Sequence, residues 1–243
     1  MGIFFVVPLY LQIVLGLDGL DTGIRMLPAS ITMLIVSAMG ARLVTRFSVR
    51  AMVRAGLVTT AVAILGLLDT IDPTLDSTSF AVFMALLGIG MGLIVSQLGN
   101  VVQSSVDASG RGEAGGWQYT SAQLGSSMGV ALIGAIVLAG LSSVFVSTIQ
   151  ADERIEVAVS EQIGLAAGTG IGFVPTGQLE SAAQAAGLDA PTTIAIEVYE
   201  AAQLQSLKAG LLAAAFLVLI TIPFTRELPH DEPAPATATA HHR

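Results

Sequence analysis

The chain contains no cysteine, which excludes disulfides, thiolate metal sites and iron–sulfur clusters and leaves the redox compartment unread. Histidine is confined to the carboxy-terminal tail, at His230, His241 and His242, so no apolar stretch holds an imidazole base or metal ligand. Charged residues make up 12% of the chain and aromatic residues 5%, with a single Trp. No Asp or Glu lies in the middle of an apolar stretch, so a buried carboxylate pair for acid–base work is absent. These absences predict a non-enzyme without bound cofactor or metal.

What is present is hydrophobic: 53% apolar residues, 26 glycines and a mean hydropathy of +0.77. Six apolar stretches, at about 3–17, 23–41, 54–69, 80–102, 116–145 and 207–224, divide the chain. A helix needs ~20 such residues to cross ~30 Å of hydrocarbon, and only the first stretch falls short. The sequence predicts an all-α membrane protein with six transmembrane helices over residues 1–225, and lipid as its surroundings.

Arginines orient the spans. Arg42, Arg46, Arg50 and Arg54 crowd one connection, Arg111 another, and Arg226 follows the last stretch. The alternate connections hold Asp18 and Asp21, then Asp69, Asp72 and Asp76, then an acidic run from Asp152 to Glu200. The arginine ends are therefore expected in the cytoplasm, with both chain termini, in a multi-pass protein of the cell membrane. The net charge of −8 is carried largely by the outer connections. Arg25 and Lys208 sit near helix ends, from which they can snorkel to headgroups.

Met1 opens almost directly into an apolar run without the basic leader of a signal peptide, and Val6 stands where myristoylation wants Ser or Thr. The expectation is a span whose first turn, and what precedes it, lie outside this chain. An extracytoplasmic loop with helical fragments is expected over 149–205, with the apolar spacing Ile194, Val198, Ala201 starting the sixth helix outside the membrane. A disordered cytoplasmic tail, rich in Pro, Ala and Thr, is expected over 226–243.

Three motif spellings lack their context. Gly168-Thr-Gly-Ile-Gly172 has no Lys-Ser/Thr ending, and Gly125-Ser-Ser-Met-Gly129 has neither a strand-to-helix turn nor a partner base. Gly88, Gly90 and Gly92 lie inside an apolar helix rather than at a strand–helix turn. Packing explains such glycines better: Gly88, Gly92 and Gly99, and separately Gly125 and Gly129, repeat at steps that place small residues on one helix face.

Uncharged polar groups concentrate in the first, fourth and fifth stretches. An unpaired amide in hydrocarbon is costly, so they must meet another helix or a water-filled path. Interhelical hydrogen bonds account for about half of them. The candidates for a solute cavity are Tyr10, Gln12, Gln97, Asn100, Gln118 and Gln123.

These residues carry a family resemblance. Pro8-Leu-Tyr-Leu-Gln12-Ile-Val-Leu-Gly16, followed by Gly23 and Leu27-Pro28, resembles the helix pair that opens the carboxy-terminal half of major facilitator superfamily drug:proton antiporters of the fourteen-span EmrB/QacA type. Ala41 to Arg50 is similar to the second copy of the superfamily's cytoplasmic loop motif, matching at Leu43, Arg46 and Arg50 and departing at Ala41, Thr45 and Ser48. Gly115 to Ala131 resembles the penultimate helix, with Thr120, Gln123, Gly125, Gly129 and Ala131 in register.

The resemblance implies one six-helix half built from two inverted three-helix repeats, working by alternating access once an amino-terminal half completes it. It implies a small lipophilic substrate and a proton gradient as energy source, with Arg46 and Arg50 latching the cytoplasmic side. No nucleic-acid partner is expected. The rival readings are a non-transporting scaffold or remnant of such a permease and, less favoured by the residues, a membrane-bound enzyme.

Overall fold

The computed structural model describes residues 2–72, 75–104, 106–107, 109–152, 172–174 and 190–228. Among them every regular element is a helix: α1 (Ile3–Leu9), a π turn (Tyr10–Val14), α2 (Gly19–Leu43), α3 (Val49–Thr70), α4 (Ser77–Ser104), α5 (Arg111–Ala151), α6 (Ala190–Thr221) and a 3-10 turn (Pro223–Glu227). The five helices α2 to α6 are long and apolar enough to cross a membrane, whereas the apolar segment Ile3–Val14 is shorter.

Local chemistry sets the boundaries. The Asp18 carboxylate caps α2 by accepting from the Asp21 N–H at 2.7 Å, and the Ser48 hydroxyl accepts from the Ala51 N–H at the start of α3. At α4, Asp76 accepts from the Thr78 N–H at 3.1 Å and from the Ser79 hydroxyl at 2.6 Å. These contacts hold the Asp76 carboxyl below the usual carboxylate range, the Ser79 hydroxyl contributing most. Pro8 withholds an N–H from the ladder of α1. The next turn widens, with the Leu15 N–H reaching back to the Tyr10 carbonyl, and Gly16 at φ +65° ends the helix in the left-handed region.

Val6 and Val7 of α1 and Tyr10 and Leu11 of the π turn are buried in one cluster with Ile64 and Leu67 of α3, Met84 and Leu87 of α4, Val137 of α5, and Leu207 and Leu211 of α6. In lipid there is little hydrophobic gain from such burial, so close backbone approach drives the packing. Between α3 and α4, a Cβ on Gly56 would lie 2.9 Å from the Gly90 carbonyl oxygen. Between α2 and α4, the Thr32 hydroxyl lies 2.8 Å from both the Pro28 carbonyl of its own turn and the Ala85 carbonyl opposite, with one proton to share.

At ~1.5 Å per residue, α5 is about 60 Å long and α6 about 48 Å, against ~30 Å of hydrocarbon. They persist beyond a bilayer because they pack on each other: Leu141, Phe145 and Ile149 form one stripe, buried by Val198, Tyr199 and Ala202. The Phe145 and Tyr199 rings meet edge to face at 5.9 Å. The loop expected over 149–205 is thus helical at both ends, and α6 does run back past Ile194. Residues 153–171 and 175–189, with most of the Gly-Thr-Gly-Ile-Gly run, lie outside the described residues. So do 229–243 of the expected tail, whereas Arg226 belongs to the 3-10 turn.

Candidate functional site

The six polar candidates fall into different surroundings. Tyr10 is fully buried, its hydroxyl donating to the Asp72 carbonyl at 2.7 Å and accepting from the Asp72 N–H at 3.3 Å, so it pins the π turn to the end of α3. Gln12, two residues on, is exposed on the same turn. Gln97 is fully buried; its Nε2 donates to the Ser96 hydroxyl at 3.0 Å, while its Oε1 finds no donor among the described residues. The Asn100 side chain lies outside the described residues. Gln118 is half-buried and Gln123 exposed, Gln123 donating to the Tyr119 hydroxyl one turn back at 3.1 Å. The exposed apolar faces of α3 (Val58, Val62, Leu65) and α6 (Leu212, Phe216, Leu219) carry none of these groups.

The packing glycines divide as well. A Cβ at Gly88 would overlap the Ala29 carbonyl and the Thr32 hydroxyl, and one at Gly92 would lie 2.9 Å from the Met33 carbonyl oxygen, so both sit against α2. Gly99, Gly125 and Gly129 have nothing within 4 Å of that position. Among the described residues none fills the space a side chain would take at these three glycines, and Trp117, Tyr119, Leu124 and Met128 in the first turns of α5 are exposed.

Of the loop-motif residues, Leu43 is half-buried and Arg46 exposed, as is Arg42. Arg50 is turned inward: its guanidinium donates through Nε at 3.1 Å, and through Nη2, to the Leu228 carbonyl. Arg54 donates from Nε to the buried Thr225 hydroxyl at 2.8 Å. Together they staple the start of α3 to the turn after α6, where a helix C-terminus favours cations. Arg50 thus pairs with a carbonyl 178 residues away in this chain, whereas the latch expected of Arg46 and Arg50 was to the other half of the transporter. The arginine cluster gave Arg54 a part in topology but not this contact, and nothing local signalled Thr32 or the clamp in which the Tyr199 hydroxyl donates to the Gly172 carbonyl and Gln203 to the Val174 carbonyl.

A recess of about 580 Å³ opens between the last turns of α4 and the first turns of α5, at the arginine-bearing end. Leu98, Val101 and Val102 form one wall and Trp117, Gln118 and Ser121 the other, and among the described residues no charged side chain lines it. Gln118 is the one polar candidate, among the described residues, that reaches it. As the sole Trp in the chain, placed at a span end, Trp117 was a signal that sequence reasoning passed over.

Comparison with known proteins gives a consistent picture. Residues 1–130 match the family description Major Facilitator Superfamily. A tetracenomycin C resistance and export protein of Streptomyces glaucescens is 28% identical over 59% of this chain and 26% of its own length. The multidrug transporter protein MdtP of Bacillus subtilis is 28% identical over 56% of the chain and 25% of its own length. The multidrug efflux pump LfrA of Mycolicibacterium smegmatis is 31% identical over 57% and 27%. The chain spans about a quarter of the length of these curated relatives.

Proposed function

The chain belongs to the Major Facilitator Superfamily, and from that premise we propose that it forms the carboxy-terminal six-helix half of a proton-coupled efflux permease of the EmrB/QacA type, in the cell membrane with its arginine ends cytoplasmic. The observation that carries this reading is the polar surface of α5. Tyr119, Thr120, Ser121 and Gln123 are exposed and Gln118 half-buried on its first turns, an arrangement that suits a second bundle and a solute path rather than hydrocarbon. The names of the relatives, which concern export of tetracenomycin C and of multiple drugs, support a small lipophilic substrate. In this reading α1 to α3 and α4 to α6 are the two inverted repeats, and the complementary half supplies the proton-carrying carboxylate that the apolar stretches here lack.

The reading is tested by reconstitution. In proteoliposomes under a proton gradient, the chain alone is expected to move no lipophilic cation dye above empty vesicles, and transport is expected when an amino-terminal partner bundle is co-expressed. Gradient-driven dye movement by the chain alone refutes the half-transporter reading. No transport with any partner bundle favours a scaffold or remnant.

A further inference from the structure

The staple made by Arg50 and Arg54 leaves three other guanidiniums beside it unpaired. Arg42, in the last turn of α2, and Arg46, in the turn that follows, are exposed, as is Arg226 in the 3-10 turn after α6. Among the described residues none of these three side chains makes a hydrogen bond or an ion pair. Asp107 and Glu113, the carboxylates described at the same end, lie on the connection from α4 to α5 and pair with none of them. A helix C-terminus accounts for a cation at Arg42 and at Arg226. It does not account for the aromatic rings next to them: Phe47, which follows Arg46, is 55% exposed, and Phe224, two residues before Arg226, is 71% exposed. These cations and rings belong to two turns that the Arg50–Leu228 and Arg54–Thr225 hydrogen bonds tie together.

A free phosphate pairs with guanidiniums but gains nothing from phenyl rings. An acyl chain alone covers the rings and leaves the cations without counter-charge. An amphiphile that carries an anion and acyl chains together satisfies both, at the depth where hydrocarbon gives way to water. Guanidinium forks also match the paired oxygens of a phosphate. We propose that this corner is a binding site for an anionic phospholipid, its phosphate held by Arg42, Arg46 and Arg226 and its acyl chains lying against Phe47 and Phe224. The staple keeps the two turns in register, so the site is formed before the lipid arrives. This goes beyond the transport reading and requires only that the chain lies in a membrane. It assigns Arg46 to lipid rather than to a latch on the other half.

The experiment titrates the full chain, in detergent micelles, with phosphatidylglycerol or with phosphatidylcholine of the same acyl chains, and counts bound lipid by native mass spectrometry. Saturable binding of phosphatidylglycerol in preference to phosphatidylcholine is expected. Arg42→Gln, Arg46→Gln and Arg226→Gln should each weaken it about fivefold, and the three together about a hundredfold. Phe47→Ser with Phe224→Ser should lower affinity while leaving the preference between headgroups. Thr225→Val keeps every charge but removes the acceptor of Arg54, and should weaken binding severalfold if the staple positions the site. All these side chains except Thr225 are exposed, and unchanged helicity identifies variants that still fold. Equal binding of the two lipids, or binding that ignores the triple arginine substitution, overturns the proposal. Displacement of phosphatidylglycerol by inorganic phosphate as readily as by more of the lipid overturns it too, because the site is then one for a free anion. So does loss of the bound lipid when an amino-terminal partner bundle is co-expressed, because the arginines then serve the other half. Transport is scored separately: arginine-dependent lipid binding in a chain whose completed form moves no dye supports the site and counts only against the transport reading.

Discussion

Gly88, Gly92 and Gly125 are spelled alike in the sequence, as small residues inside apolar helices, yet Ala at each should behave differently. At Gly88 the new methyl meets the Ala29 carbonyl, a backbone atom that no rotamer change can move, and the Thr32 hydroxyl. The α2–α4 contact must open. Overpacking costs ~1–3 kcal/mol, and the rigid obstacle places Gly88→Ala at the upper end. Opening also lengthens the Thr32–Ala85 contact, worth ~0.6 kcal/mol in a membrane. Ala is intrinsically better in a helix than Gly by at most ~1 kcal/mol, so the net loss is about 2–3 kcal/mol, a roughly 30- to 150-fold shift in the folded fraction. At Gly92 the methyl lies 2.9 Å from the Met33 carbonyl and 3.0 Å from the Val36 Cβ, close enough to require a small shift, and the net loss is about 1 kcal/mol. At Gly125 it meets nothing within 4 Å, and the change should be neutral or stabilising by up to ~1 kcal/mol. Reversible unfolding of the chain in mixed micelles with increasing SDS, followed by helicity, measures all three. Three variants within ~0.5 kcal/mol of one another, or Gly125→Ala as the most damaging, would refute the packing argument.

The arginine staple predicts that Arg50→Gln or Arg54→Gln loosens the turn after α6. Amide exchange over 223–228 should quicken about three- to tenfold, with α4 unaffected, and unchanged exchange in both variants shows the staple to be idle. The cap at α4 predicts a pH dependence: because Asp76 titrates below its ordinary value when folded, its stabilising contribution is present above the ordinary value and lost as pH falls through the lowered one. Ser79→Ala removes the largest cause and should move the Asp76 titration, read from its carboxyl carbon resonance, back up toward the usual range; an unmoved titration shows that the Ser79 hydroxyl is not the cause.

Much of the fold was legible because the relevant physics is local. Apolar run length located α2 to α6 to within six residues at every end but the start of α6, and the short first stretch is short in space as well. Gly88 and Gly92 lie against α2. Less was legible where a residue's role depends on its neighbour across space. Tyr10 and Gln12 are two residues apart and equally polar, but the π turn buries the first against Asp72 and exposes the second. Arg46 and Arg50 occupy one motif, yet only Arg50 meets Leu228. The length of α5 was underestimated because its last turns are stabilised by α6 rather than by lipid.

The sequence by itself determined that this chain is a set of membrane-length helices with arginines at alternate ends, because transfer into hydrocarbon is nearly additive over the residues of one segment. It also determined where α2, α3 and α4 begin, since Asp18, Ser48 and Asp76 satisfy N–H groups only a few residues away. Tertiary structure alone decided which glycines meet a backbone, which amides lose water and where a recess forms. Those outcomes arise from contacts such as Thr32–Ala85, Tyr10–Asp72 and Arg54–Thr225, separated by 53, 62 and 171 residues, and a local pattern carries no information about which distant element will fill the space beside it.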